Sequence, residues 1–211
     1  MTAPERLRSN MVRTKRFALL VADLQVGFCC EGDDCLAPPL AEQATRRQVI
    51  SVAAAVQKAA LQSGVPVVHT RLAFHPSYFT RTNRTTRFDR YPAERLLSQE
   101  APSAQIVVEL QSAEAVLVTK GCVDPLVGTP LPAILAANGI TDLFIGGVAT
   151  NLAVESASRH ASDLGMSVRV IEDMCASSSP ELHTLAIGKT LPLFAEIVAS
   201  GDAIETLSTA T

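Results

Sequence analysis

The stretch "FIGGVATNLAVESASRHASDLG", residues 144–165, decides the fold. Its first five residues are a buried strand, "GVATN" is a sharp turn, and residues 152–164 follow helical periodicity up to Gly165, a left-handed helix stop. A strand, turn and helix in that order is one half of a β-α-β unit, and the turn sits where an α/β enzyme presents its reactive side chains. The residue so presented is Ala153, a methyl group.

Five more runs share the character of 144–148. "FALLVAD", "VPVVHT", "AVLVTK", "MSVRVIED" and "FAEIVAS" are short, continuously apolar and bounded by polar residues or glycine, as strands buried on both faces require. Helical patterns fall between them at residues 40–63, 130–138 and 181–190, the first two ending at Gly64 and Gly139. Alternation of this kind predicts right-handed crossovers and one six-stranded parallel sheet with helices on both faces, a three-layer α/β/α domain. The domain is expected over residues 17–204, with an Arg/Lys-rich extension at 1–16 and a tail at 205–211. Residues 72–104 form one long irregular segment and are expected to be a binding loop.

Ligands of open parallel sheets bind beyond the carboxyl ends of the strands. That rule selects Asp23 and Gln25 after the first run, His69 and Arg71 in the second, Lys120 at the end of "AVLVTK", and the 148–153 turn. Composition narrows the partners. The 211 residues are 47% hydrophobic and 18% charged, with a net charge of −3, which leaves no electrostatic footprint for nucleic acid or an anionic membrane. No apolar run approaches the length of a membrane span. G-x-G-x-x-G after a strand and G-x-x-x-x-G-K-[ST] are both absent, so no nucleotide cofactor is expected. The expected partner is a small-molecule substrate.

Cys29, Cys30, Cys35, Cys122 and Cys175 lack paired spacing and are expected as free thiols in a cytoplasmic protein. No metal is expected: "CCEGDDC" has no C-x-x-C pair, and "HTRLAFHPSYF" has too few ligands. His69 is expected as a strand-end residue with its bonds satisfied, and His160 and His183 as helix-surface residues.

At these same positions the chain resembles the isochorismatase-like hydrolase superfamily. "LLVADLQVGF" is similar to its first strand and aspartate, "TKGCVDPLVGTPL" to its lysine followed by Gly-Thr, "GGVATNLAVESASRHASDLG" to its nucleophile turn and helix, and "VRVIEDMCASSSPELH" to the segment after the next strand. The resemblance implies a Rossmann-like sheet, an oligomer of two or more identical chains, no cofactor, and an Asp-Lys-Cys triad. Asp23 and Lys120 match two members, and Ala153 stands at the cysteine position. It also implies a non-proline cis peptide at Val148-Ala149.

Alanine cannot attack a carbonyl, so covalent catalysis is lost. Three explanations fit: membership of the cysteine-free branch represented by isochorismatases, replacement of a cysteine in a small-amide or ureide hydrolase, or a binding protein without turnover. In the first, which we take as the lead expectation, Asp23 is a general acid toward a small anionic substrate and Lys120 stabilises charge. Substrate contacts are expected from Gln25, Val148, Ala149 and Thr150, and from Arg87 in the basic segment 81–95, whose guanidiniums suit a carboxylate. Cys29 and Cys122 lie near enough in sequence to Asp23 and Lys120 to approach the same place.

Overall fold

The computed structural model describes residues 14–209. Strands β1 (Phe17–Ala22), β2 (Val67–Leu72), β3 (Val116–Lys120), β4 (Asp142–Val148), β5 (Ser167–Ala176) and β6 (Glu196–Val198) pair in the order β3-β2-β1-β4-β5-β6, every neighbour parallel. From β1 the chain winds outward to β2 and β3, then returns to β4 and winds the other way. Strand order therefore reverses between β1 and β4, and a crevice opens beyond their carboxyl ends.

The helices are α1 (Val26–Cys29), α2 (Pro38–Arg46), α3 (Val49–Gln62), α4 (Thr86–Ala93), α5 (Leu131–Ala137), α6 (Glu155–Asp163), α7 (Pro180–Leu185) and α8 (Ser200–Ser208). Successive residues of β1 point to opposite faces, and both faces are dry. Leu19 and Val21 pack with Ala53, Val56 and Ala60 of α3 and Ala203 and Leu207 of α8. Ala18, Leu20 and Ala22 pack with Leu131 and Leu135 of α5 and Ala157 and Ala161 of α6. This is the three-layer arrangement read from the continuous apolar runs. No helix among the described residues is long and apolar enough to cross a membrane.

Several boundaries differ from those expected. The helix expected over residues 40–63 is two helices, because Gln48 takes a left-handed backbone (φ 54°) that ends one and starts the other. Helix α6 is preceded by a π turn, Thr150–Val154, so Ala153 lies in the wider turn and not in the first turn of an α-helix. The helix expected at 181–190 is α helical only to Leu185 and continues as a π turn, Ala186–Thr190. Residues 72–104 are not wholly irregular: they contain α4, whose Phe88 packs in a third cluster with Leu72, Phe74, Tyr78 and Leu97. The last helix runs past residue 204 to Ser208 and buries Leu207. Of the expected N-terminal extension, residues 1–13 lie outside the described residues, and Arg16 is tied to the start of β4 by hydrogen bonds with Thr141 and Asp142.

One irregularity interrupts the sheet. Ile145 pairs with Val170 and Gly147 with Cys175, so one residue of β4 faces four of β5, residues 171–174. The excess is a bulge, which re-aims the side chains it carries.

Candidate active site

Asp23 follows β1 directly and adopts a left-handed conformation (φ 54°), rare outside glycine, held by Asp23 N–H donating to Thr70 O (3.1 Å) and Gln25 N–H donating to Asp23 O (2.7 Å). The turn aims the carboxylate across the strand ends. Its Oδ1 accepts from the Thr70 hydroxyl (3.1 Å) and its Oδ2 lies 2.6 Å from Lys120 Nζ at the end of β3. The ammonium also donates to Val123 O. Both side chains are almost fully buried, 8% and 1% exposed. Burial pushes the Asp23 carboxyl above the usual carboxylate range, and the Lys120 ammonium and the Thr70 hydroxyl pull it back part of the way. Burial is the larger effect, so the proton is held more readily than in water.

The third side of the site is the end of β4. Gly147 has φ +126°, and a Cβ there would stand 2.0 Å from Ala22 O, so only glycine lets β4 approach β1 this closely. The next bond, Val148-Ala149, is cis. A cavity of about 240 Å³ lies between these strand ends and α4, lined by Asp23, Lys120, Val148, Ala149, Ala153 and Arg87 among others. The structure thus brings six of the eight expected site residues to one space.

Two others are placed elsewhere. Gln25, expected among the substrate contacts, is fully buried, and its carboxamide donates to Leu72 O and Ala104 O and accepts from Leu72 N–H. It fastens the loop before β3 to the end of β2. Thr150 is also fully buried, its hydroxyl 2.9 Å from His183 Nδ1, on the far side of the turn.

Apolar wall comes from Phe28, Leu36, Leu40, Phe88 and Leu152. Helix α4 adds Arg87, Arg90 and Tyr91, whose i, i+3, i+4 spacing puts them on one face. Tyr91, which the sequence reading missed, has its ring fixed between Phe74 and Phe88 at centroid distances of 5.3 and 5.2 Å. Arg81 of the same basic segment is instead buried against Asp89 (2.8 Å). None of the five cysteines lines the cavity. Cys29 and Cys175 are buried, which pushes both thiols up, Cys175 to about 12, and the Cys122 thiol points toward Asp124 O and Val127 O. Among the described residues no group of three or more His, Cys, Asp or Glu stands close enough to hold a metal ion.

The histidines divide. His69 is buried in its strand but only half satisfied, against expectation: Nε2 lies 2.6 Å from Gln57 Oε1, while the buried Nδ1 has no hydrogen-bond partner among the described residues; burial lowers its pKa to about 4. His160 is half-buried against Asp124 (3.0 Å). His183 is not a surface residue: it is 5% exposed and bonded on both ring nitrogens, because the β5 bulge brings Glu172 beside it.

A buried carboxylate–ammonium pair thus stands at the switch point of a parallel sheet and lines a small cavity, the place where open α/β folds bind their ligands. The Isochorismatase domain family model matches residues 17–202, and the chain belongs to that family of hydrolases. It is 36% identical over 70 residues to the uncharacterized isochorismatase family protein YecD of Escherichia coli O157:H7, a match covering 33% of this chain and 37% of that relative. It is 26% identical over 193 residues to the ureidoacrylate amidohydrolase RutB of Klebsiella pneumoniae (strain 342), covering 85% of this chain and 81% of the relative. The fold matches an isochorismatase family protein of Burkholderia thailandensis with a TM-score of 0.77, at 24% identity, over 92% of this chain and 96% of the other.

Proposed function

We propose that this protein hydrolyses a small anionic enol ether by general acid catalysis, with no covalent intermediate. The observation that carries the reading is the cavity floor: Asp23 and Lys120 stand ion-paired beside the methyl group of Ala153, and no thiol lines the space. In this reading Asp23 transfers a proton to the terminal methylene carbon, giving an oxocarbenium ion. Water adds to that ion, and the hemiketal loses the alcohol to leave a methyl ketone. One water is consumed, and the proton it releases restores Asp23. Lys120 keeps the carboxyl oriented and stabilises the carboxylate left after transfer. Arg87 and Arg90 at the cavity mouth supply the positive charge that an anionic substrate needs. The protein is expected to act as a homo-oligomer, dimeric or larger, which sedimentation would measure.

The test is turnover of an enolpyruvyl ether in D₂O. One deuterium should enter the methyl group of the pyruvate formed, and Asp23→Asn should lower the rate by about 10² to 10⁴, the usual contribution of a positioned acid. Pyruvate without deuterium, or an Asp23→Asn variant as fast as the parent, would sink the reading.

A second reading has one observation in its favour, the likeness to an amidohydrolase over 85% of the chain. There Ala153 replaces the nucleophile of a C–N hydrolase, and Ala153→Cys should create hydrolysis of a small amide or ureide that alkylation abolishes. On the enol ether the same variant should gain nothing.

A further inference from the structure

The cavity turn is held from behind by a chain of side chains that the proposed chemistry does not use. Thr150 opens the π turn, and its hydroxyl lies 2.9 Å from His183 Nδ1. His183 Nε2 lies 2.9 Å from Glu172 Oε1, and that carboxylate is gripped by Arg47, whose Nε also donates to Cys175 O (2.7 Å). A carboxylate only accepts, so Nε2 must carry a hydrogen; in the neutral ring Nδ1 is then an acceptor, and the Thr150 hydroxyl donates to it. Burial lowers the pKa of His183, in keeping with a neutral ring. Every donor and acceptor in the chain has one consistent direction. The neighbouring Asn151 is held separately, its Oδ1 accepting from the Ser177 hydroxyl (2.9 Å).

We propose that His183 is a positioning residue: oriented by Glu172 and Arg47, it holds the Thr150 hydroxyl and so places Ala149, Leu152 and Ala153 on the cavity wall. Thr150 lies between Ala149 and Leu152, two lining residues, yet does not line the cavity itself, so its one side-chain hydrogen bond among the described residues acts on the backbone between them. Arg47 sits at the break between α2 and α3 that the left-handed Gln48 makes, which joins the turn to the opposite helical layer. The proposal rests on the reading that this cavity is the active site, but its physical content, a turn held by one histidine tautomer, can be measured without a substrate.

The test uses the full chain. Long-range ¹⁵N–¹H spectra at pH 7.5 should show His183 as the neutral Nε2–H tautomer. Amide exchange at residues 149–154 should rise about tenfold in Thr150→Val, the effect of one buried hydrogen bond, and return to the parent rate in Thr150→Ser. His183→Asn, which keeps an acceptor near Thr150, should exchange more slowly in the turn than His183→Gln, while amides of β1 and β4 stay protected in all four. On the enol ether, kcat/KM should follow the same order. An Nδ1–H tautomer, unchanged exchange in Thr150→Val, or a uniform rise across the sheet overturns the proposal. Absence of turnover overturns the proposed function alone, because the exchange and tautomer measurements still decide this one. A His183 variant that fails to fold leaves the Thr150 pair and the parent spectrum to do so.

Discussion

The floor and the wall of the cavity are built on opposite principles. On the floor every polar atom already has a partner within the protein: Asp23 has Thr70 and Lys120, and Lys120 has Val123 O. On the α4 wall, Arg87 is exposed and makes no ion pair or hydrogen bond among the described residues, and Arg90 has only an exposed, 3.5 Å contact with Glu94. Partnered, buried groups are preorganised and suit bond-making; unpartnered, wet groups can take a ligand without first losing a protein contact. In the proposed reaction, chemistry and recognition therefore fall to different elements, the one to strand ends and the other to a helix inside a long connection.

The largest break in this contrast should come from the floor. Lys120→Met leaves the Asp23 carboxylate buried without its cation, and removing one member of such a pair costs about 3–5 kcal/mol. The urea midpoint should fall accordingly, and activity with it. A drop below about 1 kcal/mol that does not grow as pH rises would mean the pair is far wetter than its 1% and 8% exposure indicates. A drop that grows with pH would mean that Asp23 takes up a proton once the ammonium is gone.

Next comes pH, where two buried groups act with opposite sign. His69 has a folded pKa of about 4 against an ordinary 6.5, so the unfolded chain takes up a proton that the fold refuses. Stability should fall between pH 6.5 and 4, by roughly 3 kcal/mol at most. Asp23 is raised, so its contribution is present below its ordinary value and is lost as pH rises through the raised one. Urea titrations of His69→Gln and Asp23→Asn across that range should separate the two slopes. Turnover that needs protonated Asp23 should also fall on the alkaline side of the raised value.

The wall should respond less and differently. Arg87→Ala should leave stability within about 0.5 kcal/mol, as for most surface changes, while raising KM for an anionic substrate about tenfold or more with kcat little changed. Arg90→Ala should do the same more weakly, about threefold, because Glu94 already shares its charge. A fall in kcat at Arg87→Ala would place that residue with the chemistry and erase the contrast.

How far this was legible in the sequence follows the same division. Strand interiors are read from runs such as "FALLVAD" because burial on both faces leaves no alternative composition, and with them come Asp23, Lys120 and the turn at 148–153. The break at Gln48 was not legible, since a left-handed glutamine carries no local signal of the kind glycine does. Tyr91 was hidden because α4 is short and has Pro92 inside it. Gln25 and His183 were misjudged for a common reason: their partners, Leu72, Ala104, Glu172 and Thr150, are brought to them by register and bulge, which periodicity does not encode.

That bulge has a consequence for which changes in chain length the fold can accept. Residues 171–174 turn two consecutive acidic side chains to separate duties: Glu172 faces His183 and Arg47, and Asp173 accepts from Ser200 N–H (2.8 Å) and its hydroxyl at the start of α8. Ile171 and Met174 on either side are fully buried, and Met174 packs where a side chain at Gly146 would stand. Deleting one residue there would reverse the facing of everything between it and the next correct pairing, Gly147 with Cys175. The last helix and the cavity turn would lose their anchors together. A substitution in this block removes one anchor at a time, whereas a change in its length is expected to displace them all.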